Sequence, residues 1–265
     1  MSDWAEVKEN TKVGEGVYRL RLAAPAIAAQ AKPGQFVMLR VSHGLDPLLA
    51  RPFSIHGVEG EDLLILYKVV GKGTKLLSLK RPGGKTLSLW GPLGKGFDLN
   101  VQRPVLVAGG MGIAPLAFVA QELERQGKEM AFLCGLPGME GFEGLASHLS
   151  ELITATSGRI SISWATEDGS AGHNGLVTGL LAQTLEAGSA STRSVLACGP
   201  LPMLKAVATI CAQRAIPCQV SLEAPMACGL GACLGCVIPA AGGGYLRACQ
   251  EGPVLKAELV DWARL

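Results

Sequence analysis

Charge is scarce in this chain. Only 17% of its 265 residues are Asp, Glu, Lys or Arg and the formal net charge is +2. No basic run occurs, so nucleic acid has no electrostatic footprint to bind. Aromatic residues are also few, at 5%. The longest apolar run, from Pro104 to Ala120, is interrupted by Gly109, Gly110, Gly112 and Pro115, and reads as a strand, a loop and a helix start rather than a membrane span. The first residues, MSDWAEVKENTKVGEG, are polar and acidic and lack the apolar stretch of a secretion signal. The expectation is a cytoplasmic protein with neither nucleic acid nor membrane as partner. Against these absences stands an apolar content of 48%, which suggests a face covered by a protein partner.

What is present in quantity is cysteine. Eight in a large chain without a secretion signal imply thiols or metal ligands rather than a disulfide framework. Cys228, Cys233 and Cys236 form C-x4-C-x2-C, and Cys249 follows after twelve intervening residues. This is the plant-type ligand order of a [2Fe–2S] cluster. Gly229, Leu230, Gly231 and Ala232 are small or apolar, so the loop can wrap a cluster and aim backbone N–H groups at its sulfurs. A structural four-cysteine zinc site is the alternative, although its ligands often come as two C-x2-C knuckles. Cys134, Cys211 and Cys218 lie in apolar segments and read as core thiols.

Hydrophobic periodicity divides the chain into three parts. Residues 1–100 carry short strands (YRLRLA, QFVMLRVS, RPFSIHGV, DLLILYKVV and KTLSLWG), with a hairpin loop over 58–62, and suggest a small antiparallel β-barrel. Residues 101–222 alternate strand and helix: PVLVAGG, PLAFVAQELERQG, EMAFLCG, GLASHLSELITAT, ISISWATE, LVTGLLAQTLEAG, SVLACGP, PMLKAVATICAQRA, CQVSLE. That rhythm means a parallel sheet with helices on both faces. Residues 223–265 hold the cysteine loop. The fold class expected is therefore multidomain α+β.

Three further constellations fall where ligands would need them. In Arg51-Pro52-Phe53-Ser54 an arginine beside a fixed-φ proline can present its fork to a pyrophosphate, and the serine hydroxyl can reach a flavin ring nitrogen. Tyr67-Lys68-Val69 and Gly71-Lys72-Gly73-Thr74 follow, and Gly73-Thr74 can offer N–H groups and a hydroxyl to the same phosphates if Thr74 opens a helix over KLLSLK. Gly109-Gly110-Met111-Gly112-Ile113-Ala114-Pro115 joins the first strand and helix of the α/β part, where glycines allow close approach to a pyrophosphate. It is not the G-x-G-x-x-G fingerprint, and a plain tight turn is the alternative. Cys198-Gly199-Pro200 with Met203 ends a later strand, where it either lines the ligand crevice or supplies a core thiol.

Together these motifs resemble the ferredoxin–NADP reductase superfamily. R-P-x-S is similar to its flavin motif, G-G-x-G-x-A-P to its pyridine-nucleotide loop and C-G-P-x-x-M to its nicotinamide-side motif; Gly91-Pro92-Leu93-Gly94 with Gly96-Phe97 resembles the end of its barrel. MACGLGACLGCVIP followed by YLRACQEGPVL resembles the electron-transfer subunits of NAD-dependent (type 1B) dihydroorotate dehydrogenases. The resemblance implies that Arg51, Pro52, Phe53 and Ser54 hold FAD, with Ser54 near the reactive N5. It further implies that Tyr67, Lys68 and Val69 contact flavin and ribityl chain, and Gly73 and Thr74 its phosphates. Gly109, Gly110, Gly112, Cys198, Gly199 and Pro200 would line the NAD site, and Cys228, Cys233, Cys236 and Cys249 would ligate [2Fe–2S]. Two positions depart from the pattern: Ala108 stands where many relatives have glycine, and Cys134-Gly135-Leu136 where they often have Gly-x-Arg.

Glu167 and Asp168 favour NAD over NADP, because carboxylates accept from ribose hydroxyls and repel a 2′-phosphate; an exposed acidic turn is the alternative. The resemblance also implies a catalytic partner carrying FMN, assembled two of each into a heterotetramer. That partner would oxidise dihydroorotate and pass electrons through the cluster and FAD to NAD⁺. An NADH-linked subunit serving a hydrogenase or ferredoxin is the rival within the superfamily, and a redox-sensing scaffold the rival outside it. His43, His56, His148 and His173 are scattered and read as solvated or locally bonded, so no base for dihydroorotate is expected here.

Overall fold

The computed structural model describes residues 3–42, 44–83, 85–154, 158–187 and 193–265; His43 lies outside them. The first part contains β1 (Asp3–Gly14), β2 (Val17–Ala23), the single-turn α1 (Pro25–Ala28), β3 (Phe36–Arg40), β4 (Arg51–Ser54), β5 (Gly57–Glu59), β6 (Asp62–Lys68), α2 (Lys72–Ser78) and β7 (Lys85–Leu93). These strands pair antiparallel in the order β4-β3-β7-β1-β2-β6-β5. Closure happens at residues 54–57. The Ile55 N–H donates to Gln35 O on one edge (3.0 Å), and the His56 N–H donates to Leu64 O on the other (2.9 Å). RPFSIHGV, expected as one strand, is thus split where the chain crosses from β4 to β5 and draws the sheet into a barrel. The hairpin expected over 58–62 is present, with Glu59 opposite Asp62. Strand β1 was not expected. Its sequence is polar, and near its start only Ala5 and Val7 are buried, yet it runs between β7 and β2 in mid-sheet.

The second part follows the expected alternation, with one unexpected two-residue strand, β11: β8 (Pro104–Gly109), α3 (Ile113–Arg125), β9 (Met130–Leu136), α4 (Glu143–Thr154), β10 (Ile160–Thr166), β11 (His173–Asn174), α5 (Val177–Glu186), β12 (Ser194–Cys198), α6 (Leu201–Gln213) and β13 (Cys218–Ser221). The cysteine-rich segment adds β14 (Val237–Pro239), β15 (Tyr245–Arg247) and β16 (Val254–Lys256). The large sheet runs β11-β10-β9-β8-β12-β13-β16. All its pairs are parallel except the last, where β16 lies antiparallel to β13. The sheet is therefore not wholly parallel, as its sequence rhythm implied, because the C-terminal segment returns to close its edge. Strand β8 is buried along its whole length, as its unbroken PVLVAG run requires of a central parallel strand. Helices α5 and α6 pack on one face through Leu181, Leu185, Leu204 and Val207, and α3 and α4 on the other through Leu116, Leu145 and Leu149. Among the described residues no helix is long and apolar enough to cross a membrane.

Barrel and sheet share side chains. Phe118 of α3 is buried in the barrel core with Ile55, Leu63 and Tyr67, while Val17 and Leu66 of the barrel join the cluster under α3 and α4. Truncating Phe118 to alanine should cost about 3–5 kcal/mol, the usual price of an aromatic removed from a packed core. A drop in the thermal unfolding midpoint checks it; an unchanged midpoint would mean that the two parts do not depend on this contact.

Candidate functional site

The carboxyl ends of β12 and β13 meet barrel residues Phe36, Pro52 and Ser54, and ligands of open α/β sheets bind at such ends. A cavity of about 390 Å³ lies there, lined by Phe36, Pro52, Ser54, Cys198, Glu223 and Met226 among others. The R-P-x-S motif and the C-G-P motif thus open into the same space. A second cavity of about 470 Å³ runs from Gly109–Gly112 and Gly199–Leu201, past Glu223, to Val237 and Ile238 of β14. Cys198 is buried; burial and the Glu223 charge push its thiol up to about 12, against a lowering hydrogen bond from Ser221. It lines the site as a neutral thiol.

Arg51 lies against the first turn of α2. A Cβ built on Gly73 would sit 2.0 Å from Arg51 Nε, so only glycine lets the guanidinium rest there, beside the backbone N–H groups of that turn. Arg51 Nη1 also donates to Leu49 O at 2.5 Å. This cradle of a fork and free N–H groups fits a pyrophosphate. Two details differ from expectation. Helix α2 begins at Lys72, and the Thr74 hydroxyl accepts from the N–H groups of Val70 (2.9 Å) and Gly71 (3.1 Å) and donates to Gly71 O (3.0 Å). That hydroxyl caps the helix and is already engaged. Tyr67 points into the barrel core, stacked on Tyr18 with its hydroxyl donating to Asn10 Oδ1 at 3.0 Å, so only its backbone can face a flavin. Phe53 is likewise buried, edge-on to Tyr67; Lys68 lies over the Phe142 ring, and the Val69 N–H donates to Gly16 O at 2.7 Å.

Glu167 and Asp168 follow β10 at the same carboxyl edge, two strands from β8. Asp168 Oδ1 accepts from the Ser170 hydroxyl (2.6 Å) and N–H (2.9 Å), which holds its carboxyl below the usual range. It stays charged at neutral pH, while its other oxygen overhangs Gly138 at the end of the β9 turn.

The four candidate ligands gather as two pairs. Cys228 and Cys233 sulfurs are 3.3 Å apart and lie towards solvent; Cys236 and Cys249 are 3.2 Å apart and buried. The Leu230 N–H donates to Cys228 Sγ at 3.3 Å, and backbone N–H groups of Leu230 and Cys233 bring that thiol down to about 6. Burial and the neighbouring Cys236 push Cys249 up to about 11. The loop is moored to the barrel, where Trp90 Nε1 donates to Cys228 O at 3.2 Å, and to its own strand, where the Ala248 N–H donates to Cys236 O at 2.8 Å. A single zinc ion needs all four sulfurs within about 3.8 Å of each other. Two pairs of sulfurs suit two irons with two thiolates each.

Glu223, Met226 and Phe36 line the flavin-side cavity but carry no motif of their own. Glu223 alone had a sequence signal, standing just past the carboxyl end of a parallel strand. The histidines are not all scattered: His56 and His148 meet across the barrel–sheet boundary with Nε2 atoms 3.0 Å apart.

Family models match two segments: an oxidoreductase NAD-binding domain over residues 106–209, and the iron–sulfur cluster binding domain of dihydroorotate dehydrogenase B over residues 223–261. The dihydroorotate dehydrogenase B (NAD(+)) electron transfer subunit of Clostridium acetobutylicum is 37% identical over 260 residues, covering 96% of each chain. That of Desulforamulus reducens is 38% identical over 258 residues, covering 94% of each. Among solved structures, an NADH-dependent reduced ferredoxin–NADP oxidoreductase, described for flavin-based electron bifurcation, superposes with a TM-score of 0.84 at 28% identity, covering 99% of this chain and 91% of the other. With paired thiols, a glycine loop and the R-P-x-S cavity gathered where barrel, sheet and cysteine segment meet, the chain belongs to the family of dihydroorotate dehydrogenase B electron transfer subunits.

Proposed function

We propose that this chain takes electrons released by dihydroorotate oxidation in an FMN-containing catalytic partner and delivers them to NAD⁺. The observation that carries the reading is the single cavity shared by Ser54, Cys198 and Glu223, which lies next to the cysteine loop through Met226. When bound, FAD exchanges hydride for single electrons and [2Fe–2S] handles single electrons only.

The chain's own residues supply position and electrostatics. Arg51 and the first turn of α2 would hold the pyrophosphate of FAD, and Ser54 would offer its hydroxyl to the flavin in the cavity it lines. Gly109, Gly110 and Gly112, with Gly199 and Pro200, give NAD a side-chain-free floor. Glu167 and Asp168 take the adenosine ribose and turn away a 2′-phosphate. Cys228 with Cys233, and Cys236 with Cys249, would supply the thiolates of the cluster. The outer pair, with Cys233 exposed and exposed Leu230 and Leu234 beside it, faces the partner, and two copies of each subunit make the assembly. The cytoplasm is the compartment that keeps all eight thiols reduced. Residues 1–100, 101–222 and 223–265 are the flavin, nucleotide and cluster parts, the last tied to the second through β16.

The test is reconstitution. The chain, loaded with FAD and cluster, is mixed with an FMN-type dihydroorotate oxidase subunit, and NADH formation from dihydroorotate is followed at 340 nm. NADH should appear only with both proteins present. Dihydroorotate turnover by this chain alone overturns the division of labour. The likeness to the bifurcating reductase favours a second reading, in which ferredoxin is the one-electron partner. Reduction of ferredoxin, but no NADH from dihydroorotate with any partner, would select it.

A further inference from the structure

His56 lies in the crossing that closes the barrel, two residues beyond Ser54, and His148 lies on α4 of the nucleotide part. Both are buried, at 1% and 6% exposure. His56 Nδ1 is 2.8 Å from the carbonyl oxygen of Ala114, within the G-G-M-G-I-A-P loop, and His56 Nε2 is 3.0 Å from His148 Nε2. A carbonyl only accepts, so His56 must carry its proton on Nδ1. Its Nε2 is then a bare lone pair, and His148 must donate from Nε2. The carbonyl fixes the first hydrogen bond, and the second runs from His148 to His56 as long as His56 is neutral.

Surroundings keep the pair neutral. Burial is the main cause that brings His56 down to about 4, with Arg19 and His148 acting the same way against the Ala114 hydrogen bond. His148 is lowered by burial and Arg19, while Glu151 on its own helix, Glu59 on β5 and Glu9 on β1 oppose. Arg19 is itself paired with Glu9 at 2.7 Å. At pH 7 the donor pattern deduced above therefore holds.

We infer that the His56–His148 pair is a positioning element for hydride transfer: a relay of two imidazoles that fixes the flavin-side serine strand against the nucleotide-side loop. Ser54 and Ala114, in the first turn of α3 just past the glycine loop, belong to different parts of the chain; the His56 Nδ1–Ala114 O bond ties one to the other, and His148 holds the His56 ring from α4. Hydride transfer needs donor and acceptor about 3–3.5 Å apart, and a misplacement of about 1 Å can cost about 100-fold in rate. Neither histidine lines either cavity, so the pair acts through geometry and not by touching substrate.

The inference rests on the proposed function, and the test separates the two. In the full chain carrying FAD and cluster, FAD reduction by NADH is followed anaerobically by stopped flow at 450 nm. His148→Leu should lower the limiting rate about tenfold while changing half-saturating NADH less than about twofold. His148→Gln, which keeps an N–H donor, should recover most of that loss. An unaltered limiting rate in His148→Leu, or equal losses in both variants, overturns the positioning role. Should the leucine variant not fold, ¹⁵N-histidine spectra of the unsubstituted protein at pH 7 decide: His56 protonated on Nδ1 alone and His148 on Nε2 alone supports the relay, and any other tautomer pair overturns it. If NADH does not reduce FAD even in the unsubstituted protein, the functional reading falls and the positioning role with it.

Discussion

Replacing Cys236 with alanine is expected to strip the protein of iron and sulfide while FAD stays bound. Cys236 belongs to the buried pair, 3.2 Å from Cys249, and its carbonyl is held by the Ala248 N–H. The alanine leaves one iron short of a thiolate in a place where solvent has poor access to supply a substitute. Changes in groups that merely orient metal ligands already cost about 10–100-fold in affinity or activity, so loss of a ligand sulfur should exceed that. Electron flow from dihydroorotate to NAD⁺ should then fall by more than about 100-fold. Reduction of FAD by NADH persists, since none of the four cysteines belongs to the residues proposed to hold FAD or NAD. Cys233→Ser offers a milder comparison, because that sulfur is exposed and a harder oxygen ligand can still approach the outer iron. Iron and sulfide analysis of anaerobically prepared protein, with the visible spectrum, measures both. Full iron content in Cys236→Ala would remove it from the ligand set.

The contrast between the cysteines and the histidines shows what a sequence carries openly. The ligand order Cys228-x4-Cys233-x2-Cys236 is local, and spacing along one loop is itself the geometry that brings the sulfurs together. The strand–helix rhythm of residues 101–222 is likewise local, and each element expected there forms where its periodicity implies, whereas the short β11 had no such signal. His56 and His148 are 92 residues apart and meet only because α4 docks on the barrel, so no spacing rule announces them. Strand β1 was hidden for another reason. Its exposed polar positions outweigh the small alternation at Ala5 and Val7, and its place in mid-sheet is set by pairing with β2 and β7 rather than by its own hydrophobicity. The break inside RPFSIHGV is invisible because β-propensity does not say which neighbour a residue pairs with; Ile55 turns to Gln35 and His56 to Leu64. Thr74 and Tyr67 show the same limit within the site. Their motif positions are legible, but which way a hydroxyl or a ring turns depends on partners such as Gly71 and Asn10.

The Gly112→Ala exchange should be the most damaging single methyl group at the nucleotide end. Gly112 has φ −58° and ψ −17°, ordinary helical values, so alanine suffers no backbone strain there. The obstacle is purely steric: a Cβ would lie 1.9 Å from the Cys198 carbonyl oxygen and 3.0 Å from the Gly199 nitrogen, all of it backbone. No side-chain rotation can relieve that contact. Strands β8 and β12 are hydrogen-bonded neighbours, with Cys198 opposite Ala108, so the loop has to shift by about 1 Å relative to the C-G-P turn. These two segments together form the floor proposed for NAD. A displacement of that size is expected to slow FAD reduction by NADH about 100-fold. FAD and iron contents should stay the same, because Arg51, Ser54, Gly73 and the four cysteines come from other elements. Reduction by dithionite, which needs no nucleotide site, should proceed at the unsubstituted rate and so separate a displaced loop from a damaged protein. If NADH reduces the alanine variant as fast as the unsubstituted chain, the floor between Gly109 and Pro200 does not hold the nicotinamide end of NAD.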